Sequence, residues 1–199
     1  MRILSRCAFV LLVVAAAAAI DAASPVSSAA ASREASATAM RGARPAALQL
    51  TDQRGTAFSL AGLPARYLAL TFVASRCSDA CPMANALFAK LAARVAGSGR
   101  SLELVTVTLD PTFDTPFVMS RLSREFGADP SLWRFASGTP ANVHALMRAF
   151  GVVARPDEHG VPDAHSTAVY ILDRQRGLKR MLLLSSQLTD DVLAAVSAP

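Results

Sequence analysis

Residues 67–82 read YLALTFVASRCSDACP, and this stretch decides the fold. The first seven residues are almost entirely apolar and uncharged, which predicts a β-strand covered on both faces of a sheet. Two cysteines, Cys77 and Cys81, follow at a spacing of four, and Pro82 marks the region where a helix begins. A loop between a buried strand and a helix start places both sulfurs at a helix N-terminus, where backbone amides and the helix dipole favour thiolate.

Downstream of this stretch the sequence predicts alternating helices and strands. Apolar residues recur at helical spacing and end before a glycine (Leu87, Phe88, Leu91, Val95, Gly97). Residues 102–109 form a second apolar strand. The next helix starts at Asp114-Thr115-Pro116, where an N-cap candidate is followed by proline, and a third is headed by Thr139 and Pro140.

The two ends of this core complete the predicted architecture. Residues 167–173 and 178–185 are apolar stretches joined by a polar loop, which predicts an antiparallel hairpin, and a short helix follows from about Leu188. Upstream, residues 48–60 predict a small hairpin around a polar turn. We therefore predict an α/β, thioredoxin-like fold, in which helices flank a central mixed sheet and a hairpin precedes it.

The N-terminal segments predict an export signal followed by a flexible tether. Residues 1–23 combine two arginines with an uninterrupted apolar run of 14 residues at 7–20, which predicts a signal peptide cleaved near Ala22 or Ala23. Because the run is shorter than the roughly 20 residues of a spanning helix, an uncleaved membrane anchor is the alternative. Residues 24–46 are rich in Ala and Ser without periodicity and predict a flexible tether, so 47–199 form the single folded domain.

The whole-chain averages are misleading once these segments are separated. The 199 residues are 52% hydrophobic and carry a net charge of +5, but 1–46 contribute +3 and leave only +2 for the domain. No aromatic residues alternate with basic ones, so nothing in the sequence indicates a nucleic-acid partner.

The cysteine pair allows several kinds of chemistry. It can close a disulfide, although so short a loop gains little stability from one, or it can bind a soft metal ion. Zinc would want four protein ligands, whereas two thiolates and one imidazole suit copper. His165 lies just before a predicted strand and is either the third ligand or an ordinary loop histidine. His144 is expected on a helix and His159 in a solvated loop.

Several motifs together resemble those of the Sco/SenC family. They are the Cys77-x-x-x-Cys81-Pro82 pattern, the Asp110-Pro111-x-x-Asp114-Thr115-Pro116 stretch, Gly138 after Trp133, and His165-Ser166 running into Tyr170-x-Leu172-Asp173. The resemblance covers about residues 48–185. It implies an exported or membrane-tethered thioredoxin-like protein that takes part in building the copper centre of cytochrome c oxidase.

The resemblance also implies roles for individual residues. Copper, as Cu(I) or Cu(II), would be held by Cys77, Cys81 and His165. Asp110 matches the family's acidic residue after the second core strand, and either positions the metal loop, docks a partner or caps a turn. Asp79, between the cysteines, either tunes the sulfurs or caps the helix.

These roles predict a metallochaperone rather than an enzyme, either free in the periplasm or tethered to the inner membrane. It would receive copper from an upstream donor and deliver it to an acceptor such as a cytochrome c oxidase subunit. The alternative is a thiol–disulfide oxidoreductase that uses Cys77 and Cys81 to keep the cysteines of a copper acceptor reduced.

Overall fold

The structure, a computed structural model, describes residues 45–78, 80–164 and 168–197. These residues contain nine strands and four α-helices. The strands are β1 (Leu50–Asp52), β2 (Ala57–Phe58), β3 (Tyr67–Val73), β4 (Leu102–Thr108), β5 (Trp133–Ser137), β6 (Arg155–Pro156), β7 (Pro162–Ala164), β8 (Ala168–Leu172) and β9 (Leu178–Leu183). The helices are α1 (Ala80–Val95), α2 (Pro116–Glu125), α3 (Pro140–Ala149) and α4 (Leu188–Ser197). Two short 3-10 turns, Pro45–Ala47 and Leu60–Gly62, flank the first hairpin.

Seven strands form one mixed sheet in the order β2-β1-β5-β4-β3-β8-β9. The central strands β3, β4 and β5 are parallel, while β1 and β8 pair with them in the antiparallel direction. Every residue of β3 and β4 is buried, as expected for strands covered on both faces. This arrangement confirms the predicted thioredoxin-like class, with a central mixed sheet, flanking helices and an N-terminal hairpin.

The sheet separates two apolar clusters, because successive side chains of a strand point to opposite faces. One cluster gathers Leu68, Leu70 and Phe72 of β3 with helix α3. It also contains the two cysteines, so the sulfurs belong to this core. The other cluster packs α1, α2 and α4 against the opposite face, around Trp133.

The parallel strands give the sheet two edges of different character. At the carboxyl edge, β3 ends at Val73 and leads directly to the cysteine loop, 74–81, and β4 ends at Thr108 before the loop that carries Asp110. The carboxyl ends of neighbouring parallel strands lie side by side, so these two loops meet. At the amino edge, Tyr67 begins β3 and pairs with Leu102, which begins β4.

A buried arginine holds the amino edge together. Arg176, in the turn between β8 and β9, donates from Nε to the Leu60 carbonyl at 2.8 Å and from Nη1 to the Ala65 and Asp173 carbonyls at 3.0 Å each. Its Nη2 also donates to the carbonyl of Leu63. Burial lowers the pKa of Arg176, while Glu103 and Asp173 act in the opposite direction. The side chain therefore fastens the 3-10 turn at Leu60–Gly62 to the last hairpin.

Three details differ from the sequence prediction. Strand β5 was not predicted, because its five residues are interrupted by Arg134 and lack a clear period. The small β6–β7 hairpin was missed as well, since strands of two and three residues with prolines carry almost no pattern. Helix α1 begins at Ala80 instead of near Pro82, because proline is tolerated within a first turn.

Candidate metal centre

Cys77 and Cys81 lie at the carboxyl edge of the sheet, where β3 passes into α1. Both side chains are buried, with 6% and 3% of their surface exposed, and the structure has both as thiols. Cys81 is the second residue of α1, and Cys77 lies in the preceding loop. Both cysteines therefore lie near the N-terminal end of a helix, where the helix dipole is positive.

The backbone of the loop supports this arrangement. The Ala74 N–H donates to Cys81 Sγ at 3.3 Å, and the Cys77 N–H donates to the Ala74 carbonyl at 3.2 Å. The loop thus folds back on the end of β3. A backbone N–H aimed at a sulfur stabilises the anionic state of that sulfur most, because hydrogen bonds to charged groups are the stronger ones.

Asp114 fixes the cysteine loop to the end of β4. Its carboxylate is fully buried and accepts hydrogen bonds from the Ser75 backbone N–H at 3.1 Å, from the Ser75 hydroxyl, and from Thr108 Oγ1 at 2.7 Å. Thr115, within the predicted helix start Asp114-Thr115-Pro116, caps α2, and its Oγ1 accepts from the Val118 N–H at 3.4 Å. Asp114 itself is not the cap. The Asp114 carboxylate points inward, beneath the cysteine loop, and therefore accepts its hydrogen bonds from Ser75 and Thr108.

Arg76 makes a second, more exposed connection from the same loop. Its Nη2 lies 2.7 Å from the Asp110 carboxylate and 3.5 Å from the Gly160 carbonyl, and its guanidinium lies 4.3 Å from the centre of the Phe113 ring. One side chain therefore contacts the loop after β4 and the β6–β7 hairpin. Asp110 also accepts from the Phe113 N–H at 3.3 Å, so it both caps a turn and ties down the cysteine loop.

The β6–β7 hairpin is organised by Asp157. Its carboxylate accepts backbone hydrogen bonds from Val161 and His159, at 2.8 Å each. The bond from Val161 is the main reason why the pKa of Asp157 is lowered, and the positive charge of Arg76 adds a small contribution in the same direction. This hairpin is the segment that leads into residue 165.

Buried aromatic rings form the floor beneath the cysteine loop. Phe72, Phe150 and Tyr170 belong to the same apolar cluster as Cys77 and Cys81, and their ring centres are 4.8–6.1 Å apart. Burial raises the pKa of Tyr170 to about 12, so its hydroxyl stays neutral in the physiological range. The floor provides an apolar setting without adding charge.

The structure brings together some of the predicted site residues and leaves others undescribed. Cys77, Cys81 and Asp110 share the carboxyl edge, whereas His165 and Asp79 lie outside the described residues. Among the residues described, no three His, Cys, Asp or Glu side chains form a group that could hold a metal. The chain resumes at Ala168, whose carbonyl accepts from Thr71 Oγ1 at 3.1 Å near the end of β3.

The other two histidines are placed as predicted. His144 is exposed on α3, and His159 is exposed in the β6–β7 hairpin beside Glu158, with 3.5 Å between Nε2 and the carboxylate. Neither lies in the apolar cluster that contains the cysteines.

Two residues of the site were not recognised for what they do. The Asp110-Pro111-x-x-Asp114-Thr115-Pro116 stretch was read as a helix start, and Asp114 was not recognised as the buried carboxylate that accepts from Ser75 and Thr108. Arg76 stands next to Cys77 in the sequence, and the structure directs its guanidinium to Asp110, Phe113 and Gly160. No local signal in the sequence separates these roles, because both depend on contacts with residues at least 34 positions away.

Comparison with known proteins identifies the class of this thioredoxin-like domain. A model of the SCO1/SenC family matches residues 38–198, which is most of the chain. The protein therefore belongs to the SCO1/SenC family. A comparison with curated protein sequences found no match.

Solved structures agree with this fold. The chain is similar to a SCO1/SenC family lipoprotein from Bacillus anthracis (TM-score 0.68, 22% identity, covering 75% of this chain and 90% of that one). It is also similar to copper-bound ScoI from Arabidopsis thaliana (TM-score 0.66, 21% identity, 75% and 96% covered). Copper-bound yeast Sco1 gives a TM-score of 0.63 at 23% identity, with 76% and 87% covered.

Proposed function

We propose that this protein is an exported copper metallochaperone, in which Cys77, Cys81 and His165 hold one copper ion and pass it to an acceptor. The observation that carries the proposal is the buried pair of thiols at the head of α1, in a chain of the SCO1/SenC family. Copper-bound structures of two similar proteins support copper as the metal. An acceptor in cytochrome c oxidase follows from the resemblance to that family.

The donor set suits copper better than other common metals. Two thiolates and an imidazole are soft and borderline ligands, and Cu(I) accepts such a low coordination number. A structural zinc site would want a fourth protein ligand. Because thiols must lose their protons to bind, copper capture should release protons and should fail when the pair is oxidised.

The position of Ala168 supports His165 as the third ligand. Ala168 begins β8 beside Thr71, close to the end of β3 from which the cysteine loop departs. His165 is three residues upstream, and three residues span at most about 10 Å. This short connection in the sequence is compatible with a ligand role for His165, which lies outside the described residues.

Delivery requires the ion to be held firmly yet released by ligand exchange. The cysteines are buried. The side chains of Arg76 and Asp110, which form the rim of the site, are 34% and 15% exposed. A partner's ligands would approach from this rim. We propose that the Arg76–Asp110 contact holds the loop closed until a partner binds.

Localisation follows from the N-terminal segments of the sequence. Residues 1–23 fit an export signal or a short anchor, and a similar protein from Bacillus anthracis is a lipoprotein. Within the part of the chain that the structure describes, no helix is long and apolar enough to cross a bilayer. We propose a periplasm-facing domain that works beside the membrane.

The decisive test is an anaerobic copper titration of the reduced full chain. We expect one copper per chain for the native protein and strong loss of binding in Cys77→Ser, Cys81→Ser and His165→Ala. His144→Ala and His159→Ala are matched controls and should bind as the native protein does. Retention of one copper by all three ligand variants would refute the proposal.

A thiol–disulfide oxidoreductase is the second candidate. The hydrogen bond from Ala74 to Cys81 Sγ favours it, because it stabilises a thiolate nucleophile without any metal. The test is reduction of a mixed-disulfide substrate: an activity lost in either cysteine variant but unchanged in His165→Ala would favour this function. A chaperone without reductase activity should show no turnover in any form.

A further inference from the structure

The edge of the domain opposite the cysteines carries a concentration of positive charge that copper binding does not use. Two adjoining clefts, of about 480 and 210 Å³, open at the amino ends of β3 and β4. They share Arg66 and Tyr67. The cations that line them, which we call the amino-edge patch, are Arg66, Arg100, Arg174 and Lys179.

The charge balance of this patch differs from that of the domain. All four cations are exposed, and Asp173 is the acidic residue lining the same clefts. The residues that line the patch therefore have a formal net charge of about +3, although residues 47–199 together carry only +2. The rest of the domain therefore has a formal net charge of about −1, so the net positive charge of the domain is concentrated in this patch.

Most of the patch is not neutralised by neighbours. Among the described residues, Arg66, Arg100 and Arg174 form no ion pair, whereas Arg94, Arg76 and Arg134 elsewhere do. Two of the patch cations instead cover one aromatic ring: the Arg66 guanidinium and the Lys179 ammonium lie 5.2 and 5.3 Å from the centre of the Tyr67 ring. The ring holds these positive charges at the surface.

From these observations we propose that the amino-edge patch seats the domain on an anionic membrane surface, by binding phosphate-bearing lipid headgroups. This inference rests on the proposed location beside a membrane but not on copper binding. Each basic side chain near an anionic leaflet adds roughly fivefold to affinity. Where residues 7–20 stay in the membrane as the anchor that the sequence also allows, the tether keeps the domain close to the bilayer, so a weak individual contact is sufficient.

A lipid surface fits the patch better than a nucleic acid does. Tyr67 is 6% exposed, and its ring is covered by two cations, so it offers no face on which a base could stack. Headgroup phosphates need only accessible cations. Because β3 has seven residues and rises about 3.3 Å per residue, docking at this edge would hold the cysteine loop about 20 Å or more from the headgroups, facing outward.

The lysine content of the chain supplies an internal control for the test. Lys90 and Lys179 are the two lysines of the sequence, both are exposed, and only Lys179 belongs to the patch. The full chain is mixed with vesicles of phosphatidylcholine alone or with a quarter of phosphatidylglycerol. An amine-reactive reagent is then applied, and mass spectrometry gives the labelling ratio of Lys179 to Lys90.

We expect the ratio to fall about fivefold or more on the anionic vesicles alone, and to recover in about 0.5 M salt, where charges are screened over a few ångströms. Arg66→Glu/Arg174→Glu should abolish the effect. Arg121→Glu/Arg148→Glu changes the net charge equally at other exposed sites and should preserve it. The patch variant should still bind one copper, which separates this inference from the proposed function.

Three results would overturn the proposal. One is an equal labelling ratio on both kinds of vesicle. Another is an equal loss of protection in the two double variants, which would mean that only net charge matters. The third is the same protection of Lys179 by inorganic phosphate or a short RNA without vesicles, which would indicate a small-anion or nucleic-acid site instead.

Discussion

The two edges of the sheet are each held by one buried charged side chain, but of opposite sign. At the carboxyl edge, the Asp114 carboxylate accepts hydrogen bonds from Ser75 and Thr108. At the amino edge, the Arg176 guanidinium donates to four backbone carbonyls. The Asp114 carboxylate thus joins the cysteine loop to one strand end, and the partly exposed Arg76 adds contacts with Asp110 and Gly160. The Arg176 guanidinium fastens several segments from a buried position.

The difference suits the proposed function. Under that proposal the cysteine loop binds and releases an ion, and it needs a defined resting position that can be left at low cost. A scaffold edge needs no such freedom. We therefore expect substitutions at the amino edge to affect stability most, and those at the carboxyl edge to affect the behaviour of the thiols most.

Replacing Arg176 should have the largest effect on stability. In Arg176→Met the carbonyls of Leu60, Leu63 and Ala65 lose their charged donor while remaining buried, and we expect the free energy of unfolding to fall by about 3 kcal/mol or more. Denaturant unfolding measures this. The neighbouring Arg174→Met removes an exposed arginine and should change stability by less than about 0.5 kcal/mol. Equal, small effects of both would show that Arg176 does not hold the edge.

Replacing Asp114 should have a smaller effect on stability but a direct effect on the cysteines. We expect Asp114→Asn to cost about 2 kcal/mol, because an amide is a poorer acceptor for Ser75 and Thr108 than a carboxylate. The loosened loop should raise the alkylation rate of Cys77 and Cys81 several-fold under native conditions. Asp129→Asn, an exposed carboxylate at the start of β5, is the control. If the control accelerates alkylation as much, Asp114 does not position the loop.

Replacing Arg76 should affect stability least. The Arg76–Asp110 pair is partly exposed, so Arg76→Ala should cost less than about 1 kcal/mol. Alkylation of the thiols should nevertheless accelerate about twofold, and high salt should produce the same change in the native protein. Arg94→Ala, which breaks the exposed pair with Asp190, should leave the thiols unchanged. A salt-independent alkylation rate in the native protein would contradict this role of the pair.

The sequence was sufficient for the parts of the fold that repeat a pattern. β3 and β4 are continuous apolar runs, and α3 begins at the predicted Thr139 cap, whose Oγ1 accepts from the Asn142 N–H at 3.2 Å. β5 escaped prediction because its burial depends on pairing with β1 and β4, which no local pattern records. Long-range pairing decides such short strands.

The positions of the cysteines could be predicted from the sequence, but the hydrogen bonds that hold their loop could not. The spacing of Cys77 and Cys81 after a buried strand placed both sulfurs correctly. That Asp114 reaches back 39 residues to Ser75 could not be read from the sequence, because a buried carboxylate and a helix cap share the same local pattern. The ligand role of His165 stays a prediction.

The most direct test of the account is X-ray absorption at the copper edge of the reduced, Cu(I)-loaded full chain. The account predicts two sulfur ligands and one nitrogen ligand at one copper, and in His165→Ala loss of the nitrogen with both sulfurs retained. Copper bound without sulfur, or an unchanged nitrogen ligand in His165→Ala, would contradict it.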